Sequence, residues 1–217
     1  MCAIFGSKKL QMFIQLYEQN LVRGDFAYGG LYLTSTKPVI VKTKGREVIT
    51  EQYSDIVSYY SGHTQAPTSN AQTYDINTSH PFLFNNWIVS HNGVLTNHKH
   101  LRTKYNIAPT SHNIVDSSII PYLLDTITNL KKMSEIDTIV EVLSLLEGTH
   151  STTIFNSKTN NLYITRCGST LYRDNAGNYS STHFEGSEMV SDGNIYKYVE
   201  DTFKVIGSFN PKSPFFI

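Results

Sequence analysis

The second residue of the chain is a cysteine, Cys2, directly behind the initiator methionine. If Met1 is removed, Cys2 carries both a thiol and the free α-amino group of the chain. The thiol can attack a carbonyl carbon, and the amine, with an ordinary pKa of about 8, can accept the thiol proton as a general base. One residue would then supply both nucleophile and base for cleaving an amide through a thioester.

Amide cleavage also requires hydrogen-bond donors for the oxyanion that forms on the attacked carbonyl. The stretch "SHNGVLTN" (residues 90–97) offers two: the side-chain NH₂ of Asn92 and the backbone N–H of Gly93, which no side chain shields. Taken alone, an Asn-Gly pair is more typical of an ordinary turn. We predict a strand in "WIVSHNGVL" that leads into a polar turn here. Whether Asn92 and Gly93 have a catalytic role depends on the other motifs.

Composition limits the classes of function. The 217 residues are 40% hydrophobic, which is enough for a substantial core, and we expect a single domain over residues 1–217. Eighteen basic residues balance eighteen acidic ones, so the sequence lacks the basic excess of proteins that bind nucleic acid or anionic membranes. We therefore predict a polar small molecule as partner, with no nucleic acid and no membrane.

The cysteine and histidine patterns predict neither disulfides nor a cofactor. Two cysteines, Cys2 and Cys167, are too few for a disulfide framework. The sequence also has no apolar run long enough to span a membrane, and together these two observations favour a cytoplasmic protein. His98 and His100 in "NHKH" lie two residues apart, a spacing that does not converge on one ion from a helix. We expect no metal site and no cofactor.

The remaining patterns indicate strands, then helices, then strands again. A short strand in "CAIFG" is followed by an amphipathic helix up to "RGD", and later "VDSSIIPYLLDTITNLKK" and "MSEIDTIVEVLSLLEG" predict two consecutive helices. From residue 150 onward, short β-rich runs alternate with Asn and Gly turns. This order is typical of sheets with helices packed on them.

Six motifs occur in an order and spacing that resembles the class II glutamine amidotransferase domain, a member of the N-terminal-nucleophile hydrolases. They are "MCAIFG" at the start, "RGDFAYGG" (23–30), "GHTQAPTSN" (62–70), "NTSHPF" (77–82), "SHNGVLTN" (90–97) and "NIVDSS" (113–118). The likeness is greatest to the glutaminase domain of glucosamine-phosphate synthase. It implies an α+β fold, a four-layer αββα sandwich, and a single domain that lacks the synthase domain.

The resemblance also implies roles for individual residues. Cys2 matches the nucleophile, and Asn92 and Gly93 match the oxyanion hole. Asp116 matches the carboxylate that pairs with the α-ammonium group of glutamine. The other matched positions are the pocket residues Gln65, Ala66 and Thr68 and the structural supports Arg23, His63 and His91.

Two positions depart from the family pattern. Gln65 stands where the family usually has an arginine that grips the α-carboxylate of glutamine, and a neutral amide cannot supply that charge. Ala3 replaces the usual glycine after the nucleophile, which narrows the space beside the thiol. We expect weaker glutamine binding, a replacement cation elsewhere, or a different amide substrate.

The sequence thus predicts a glutaminase that hydrolyses the side-chain amide of glutamine through a Cys2 thioester and supplies ammonia to a separate synthase subunit. Two alternatives remain open. One is a stand-alone amidohydrolase of another small amide, for which Gln65 is the motivating residue. The other is a catalytically idle domain kept as a binding or regulatory module.

Overall fold

The computed structural model describes residues 1–49, 56–66, 75–108 and 115–212. The helices are α1 (Leu10–Asn20), α2 (His98–Lys104), α3 (Ile119–Lys131) and α4 (Glu135–Leu145). The strands are β1 (Ala3–Ser7), β2 (Ala27–Thr34), β3 (Val39–Lys44), β4 (Val57–Gln65), β5 (Phe82–Phe84), β6 (Trp87–Leu95), β7 (Gly148–Asn156), β8 (Asn161–Cys167), β9 (Tyr172–Arg173), β10 (Tyr179–Ser180), β11 (Glu188–Met189), β12 (Asn194–Val199) and β13 (Thr202–Ser208).

Within the described residues these strands form two antiparallel sheets. The first has the order β11-β9-β10-β1-β4-β2-β3, and the second has the order β13-β12-β8-β7-β6-β5. Strand β1, which begins next to Cys2, therefore lies inside the first sheet between β10 and β4. Strand β6 lies between β5 and β7 in the second.

Three apolar clusters separate four layers. Ile4 and Leu31 of the first sheet meet Ile88 and Phe155 of the second in a cluster between the sheets. Helix α1 packs its aromatic face on the outside of the first sheet. Helices α3 and α4 cover the second sheet in the third cluster.

The layer order, helix–sheet–sheet–helix, confirms the predicted αββα sandwich. The three predicted helices are present as α1, α3 and α4, with Pro121 near the first turn of α3, where its missing N–H is tolerated. The Ser134 hydroxyl caps α4 by accepting a hydrogen bond from the Asp137 N–H at 3.2 Å. In the described part of the chain no helix is long and apolar enough to cross a membrane.

Candidate active site

Cys2 is held at the head of β1 by hydrogen bonds to its backbone and to the residues that follow. The Nε of Arg23, for which a supporting role is predicted, donates to the Cys2 carbonyl oxygen at 3.0 Å. Ser181 bonds Ile4 twice: its hydroxyl accepts from the Ile4 N–H at 3.0 Å, and its own N–H donates to the Ile4 carbonyl at 2.8 Å. The start of β1 is thereby fixed to the segments that carry Arg23 and Ser181.

The Cys2 thiol lies in an environment that disfavours its ionised form. Burial raises its pKa, and the nearby Asp116 carboxylate acts in the same direction. A hydrogen bond from the Ala66 N–H and the positive charge of Arg23 lower the pKa but do not outweigh burial. The thiol is consequently protonated at neutral pH, so attack requires a base that takes its proton.

Asn92 and Gly93 lie inside strand β6 rather than in the polar turn predicted from the sequence. They pair with Ser151 and His150 of β7, and the strand continues to Leu95. Gly93 has φ +150°, and a Cβ at this position would lie 2.0 Å from the Thr149 carbonyl oxygen. The glycine is therefore needed for the close approach of the two backbones, and the turn prediction was wrong.

Asn92 is buried and connected to the cysteine segment. Its Nδ2 donates to the Ser181 hydroxyl at 3.3 Å, the same hydroxyl that accepts from the Ile4 N–H. An amide NH₂ carries two hydrogens, so this contact leaves one for another acceptor. Ser181 lies 89 residues from Asn92 in the sequence, and no motif pointed to it.

Asp116 begins a short 3-10 turn, residues Asp116–Ser118, ahead of α3. Its Oδ2 accepts from the Leu95 N–H at 2.8 Å, at the end of β6. Its Oδ1 accepts from the N–H of Ser117 at 2.8 Å and from the Ser117 hydroxyl at 3.2 Å. These donors fix the carboxylate beside the strand that carries Asn92 and Gly93, and a carboxylate has lone pairs for a further donor.

Two buried histidines connect strands β4 and β6 with the turn that contains Asp116, and a third stacks on one of them. His91 Nδ1 lies 2.7 Å from the Ser117 hydroxyl, and His63 Nε2 donates to the His91 carbonyl oxygen at 3.2 Å. The His80 ring stacks on the His63 ring with centroids 3.9 Å apart. Burial lowers the pKa of His91, lowers that of His63 to about 3 and holds that of His80 well below its usual range. All three are neutral in the folded protein.

The free energy of unfolding should fall in acid because two buried histidines, His63 and His150, are neutral in the folded protein. Burial lowers the pKa of His63 and of His150 to about 3 in the folded state, whereas an unfolded histidine has a pKa of about 6.5. Their contribution to stability is complete above pH 6.5 and is lost as the pH falls toward 3, because only the unfolded chain takes up the protons. We expect the free energy of unfolding to drop by about 3 kcal/mol between pH 6.5 and pH 5 from this pair.

Urea unfolding at pH 7, 6 and 5 measures this dependence. His150→Leu removes one of the two groups without leaving a polar partner behind, since neither ring nitrogen of His150 is hydrogen-bonded within the described structure. The variant should show roughly half of the pH dependence assigned to the pair. A stability that does not change between pH 7 and pH 5 would contradict the assignment.

The predicted residues meet at one cavity of about 520 Å³. Its lining includes Cys2, Gln65, His91, Gly93 and Asp116. Asn92 stands in β6 between the lining residues His91 and Gly93. Ala66 and Arg23 contact Cys2, and His63 contacts His91, although none of the three lines the cavity. Thr68 lies outside the described residues. Sequence reasoning did not assign eight further lining residues to the site, five of which are polar or charged: Thr78, His80, His98, Lys99 and Ser117.

Gln65 ends strand β4 and is 7% exposed. Its Oε1 is buried and accepts no hydrogen bond from the described residues. The side chain therefore presents a neutral polar group to the cavity. Within the described chain, no cluster of three or more His, Cys, Asp or Glu side chains is placed to hold a metal ion.

Curated relatives match between 48% and 95% of the chain. Glutamine–fructose-6-phosphate aminotransferase [isomerizing] of Streptococcus pyogenes is 23% identical over 146 residues, which is 67% of this chain and 24% of that protein. The chain thus spans about a quarter of the length of this relative. No family model matches the chain.

Solved structures match nearly the whole chain. Glutamine phosphoribosylpyrophosphate amidotransferase from B. subtilis superimposes with a TM-score of 0.72 at 18% identity, covering 97% of this chain and 50% of that one. A glutamine aminotransferase class-II domain protein from Silicibacter pomeroyi superimposes with a TM-score of 0.57 at 10% identity, covering 97% of this chain and 100% of that one. The described chain therefore has the fold of a class II glutamine amidotransferase domain, and the resemblance predicted from its motifs is confirmed.

Proposed function

We propose that the protein is a glutaminase that hydrolyses the side-chain amide of glutamine and supplies the ammonia to a synthase. The observation that carries the proposal is the meeting of Cys2, Gly93 and Asp116 at one cavity, although they are far apart in the sequence. A nucleophile, an oxyanion donor and an anion for the substrate ammonium group are the three elements that this reaction needs.

In the proposed reaction the Cys2 Sγ attacks the side-chain carbonyl carbon of glutamine while the free α-amino group of Cys2 takes the thiol proton. The carbonyl oxygen becomes an oxyanion and accepts hydrogen bonds from the Gly93 N–H and the Asn92 side-chain NH₂. The amine returns the proton to the leaving nitrogen, ammonia departs, and a glutamyl thioester remains. Water then attacks the thioester carbon, and glutamate and the Cys2 thiol are released.

Three supporting residues hold this arrangement in the proposal. Arg23 fixes the Cys2 carbonyl, and Ser181 links the Asn92 amide to the cysteine strand. Ser117 braces both His91 and the Asp116 carboxylate. Each contact restrains a reacting group without entering the reaction, as expected for a site that is organised before the substrate binds.

The test is the release of ammonia and glutamate in equal amounts when the purified protein is incubated with L-glutamine. Mass spectrometry should show that Met1 has been removed, because a retained methionine blocks the amine that serves as base. Protein that keeps Met1, made with an inhibitor of methionine aminopeptidase, should release no ammonia. Equal activity of the two forms would exclude the Cys2 amine as base.

A second candidate is the hydrolysis of another small amide by a stand-alone enzyme, and Gln65 favours it. The Gln65 Oε1 offers a buried acceptor to the cavity where a cation would be expected for glutamine. Assaying a panel of primary amides beside L-glutamine separates the two candidates. The glutaminase candidate includes a synthase partner. It also includes a cytosolic location, which the two free thiols favour.

A further inference from the structure

The cavity has an anion for the ammonium group of an amino acid, but residue 65 supplies no cation for its carboxylate. An α-amino acid carries an ammonium and a carboxylate on the same carbon, so its site needs an anion and a cation close to each other. Asp116 provides the anion. Residue 65, at the end of β4, is a neutral glutamine.

Lys99 is the cation that the cavity offers. It is the one lysine or arginine among the described residues that line the cavity. The two undescribed segments nearest to the site in sequence, residues 67–74 and 109–114, contain neither lysine nor arginine. The ion pairs found among the described residues do not include Lys99, so no carboxylate of the described segments neutralises its charge.

Helix α2, which carries Lys99, is hydrogen-bonded to the segment that carries Asp116. Arg102 Nη2 donates to the Val115 carbonyl and to the Ser118 hydroxyl, both at 3.1 Å, and so fastens α2 to the turn that begins with Asp116. Lys99 precedes Arg102 by three residues and therefore lies on the same face of the helix. Lys99 and Asp116 both line the cavity, on two segments that these hydrogen bonds join.

We infer that Lys99 receives the α-carboxylate of the amino-acid substrate and replaces the arginine that residue 65 lacks. The inference rests on the proposed glutaminase function. In this arrangement Asp116 binds the α-ammonium group, Lys99 binds the neighbouring carboxylate, and the side-chain amide extends toward Cys2. Because the carboxylate does not react, the contact acts on substrate binding equally in the ground state and the transition state.

The test compares Lys99→Met with Lys104→Met. Lys104 lies on the same helix, does not line the cavity, and has its ammonium over the Tyr105 ring. We expect Lys99→Met to raise the KM for L-glutamine about fivefold, the size of one charge pair at an exposed position, with kcat unchanged. Lys104→Met should match the wild-type protein. An unchanged KM in Lys99→Met would overturn the inference.

A change of substrate isolates the charge. With the α-methyl ester of L-glutamine, whose carboxyl group is neutral, Lys99→Met and the wild-type protein should have the same KM. Introducing Gln65→Arg into Lys99→Met should restore part of the affinity for glutamine, since an arginine there supplies the missing charge. An equal loss with ester and acid would mean that Lys99 acts through the shape of the cavity, which would also overturn the inference.

Binding separates this inference from the proposed function. Calorimetry with L-glutamine is performed on Cys2→Ala and on Cys2→Ala combined with Lys99→Met, neither of which can form the thioester. Lys99-dependent binding without ammonia release by the wild-type protein would support the inference and reject the glutaminase. Ammonia release together with binding that does not depend on Lys99 would support the glutaminase and reject the inference. If there is neither ammonia release nor Lys99-dependent binding, the glutaminase function and the inference are both rejected.

Discussion

Cys2→Ala is expected to reduce glutamine-dependent ammonia release by at least roughly 10³-fold, because it removes the atom that forms the thioester. The variant should fold, since Cys2 belongs to none of the three apolar clusters. Its Arg23 contact uses the backbone carbonyl and survives the change. Ammonia release should be measured together with a thermal unfolding curve, which we expect to be nearly unchanged.

Cys167→Ala is the matched control for the loss of a thiol. Cys167 is fully buried at the end of β8, and burial raises its pKa to about 11, so it is a poor nucleophile at neutral pH. This variant should lose about 1 kcal/mol of stability and retain its activity. If Cys2→Ala keeps its activity, or if Cys167→Ala loses it while remaining folded, Cys2 is not the nucleophile.

Gly93→Ala should lower kcat at least about 100-fold, the cost of removing one oxyanion donor. The new Cβ would lie 2.0 Å from the Thr149 carbonyl oxygen and 2.9 Å from the Cα of His150, both of them backbone atoms of β7. Strand β6 must therefore move away from β7, which displaces the Gly93 N–H and the neighbouring Asn92 amide. We also expect a loss of about 2–4 kcal/mol in unfolding free energy.

Gly45→Ala separates this clash from the general effect of adding a side chain to a glycine with positive φ. Gly45 has φ +75°, and a Cβ there meets no atom of the described residues within 4 Å. Its replacement should cost about 1 kcal/mol and leave kcat unchanged. Steady-state kinetics and urea unfolding of both variants provide the comparison. If Gly93→Ala behaves like Gly45→Ala, the contact with Thr149 does not position the site.

Much of this protein can be predicted from short stretches of its sequence. The apolar alternation of β1, the helical spacing of α1 and the long apolar pattern of α3 are local properties, because each depends on residues a few positions apart. The collinear motifs identify the fold for a similar reason. Each is a short segment whose residue types can be compared directly with the family pattern.

The "HNG" motif shows where local reasoning fails. An Asn-Gly pair has a strong preference for turns, yet Asn92 and Gly93 continue strand β6 because β7 pairs with them along its length. The hydrogen bonds of β7 outweigh the local preference. Only a glycine allows the Thr149 carbonyl to approach so closely.

The motifs likewise identify only some of the residues of the candidate site. The sequence by itself indicated Cys2 and Asp116 and showed that residue 65 lacks a charge. Only the tertiary structure decided that Ser181 ties Asn92 to the cysteine strand and that Lys99 lines the same cavity as Asp116. The reason is physical: side-chain type and local spacing are fixed by neighbours in the chain, whereas strand register and helix docking depend on contacts between distant segments.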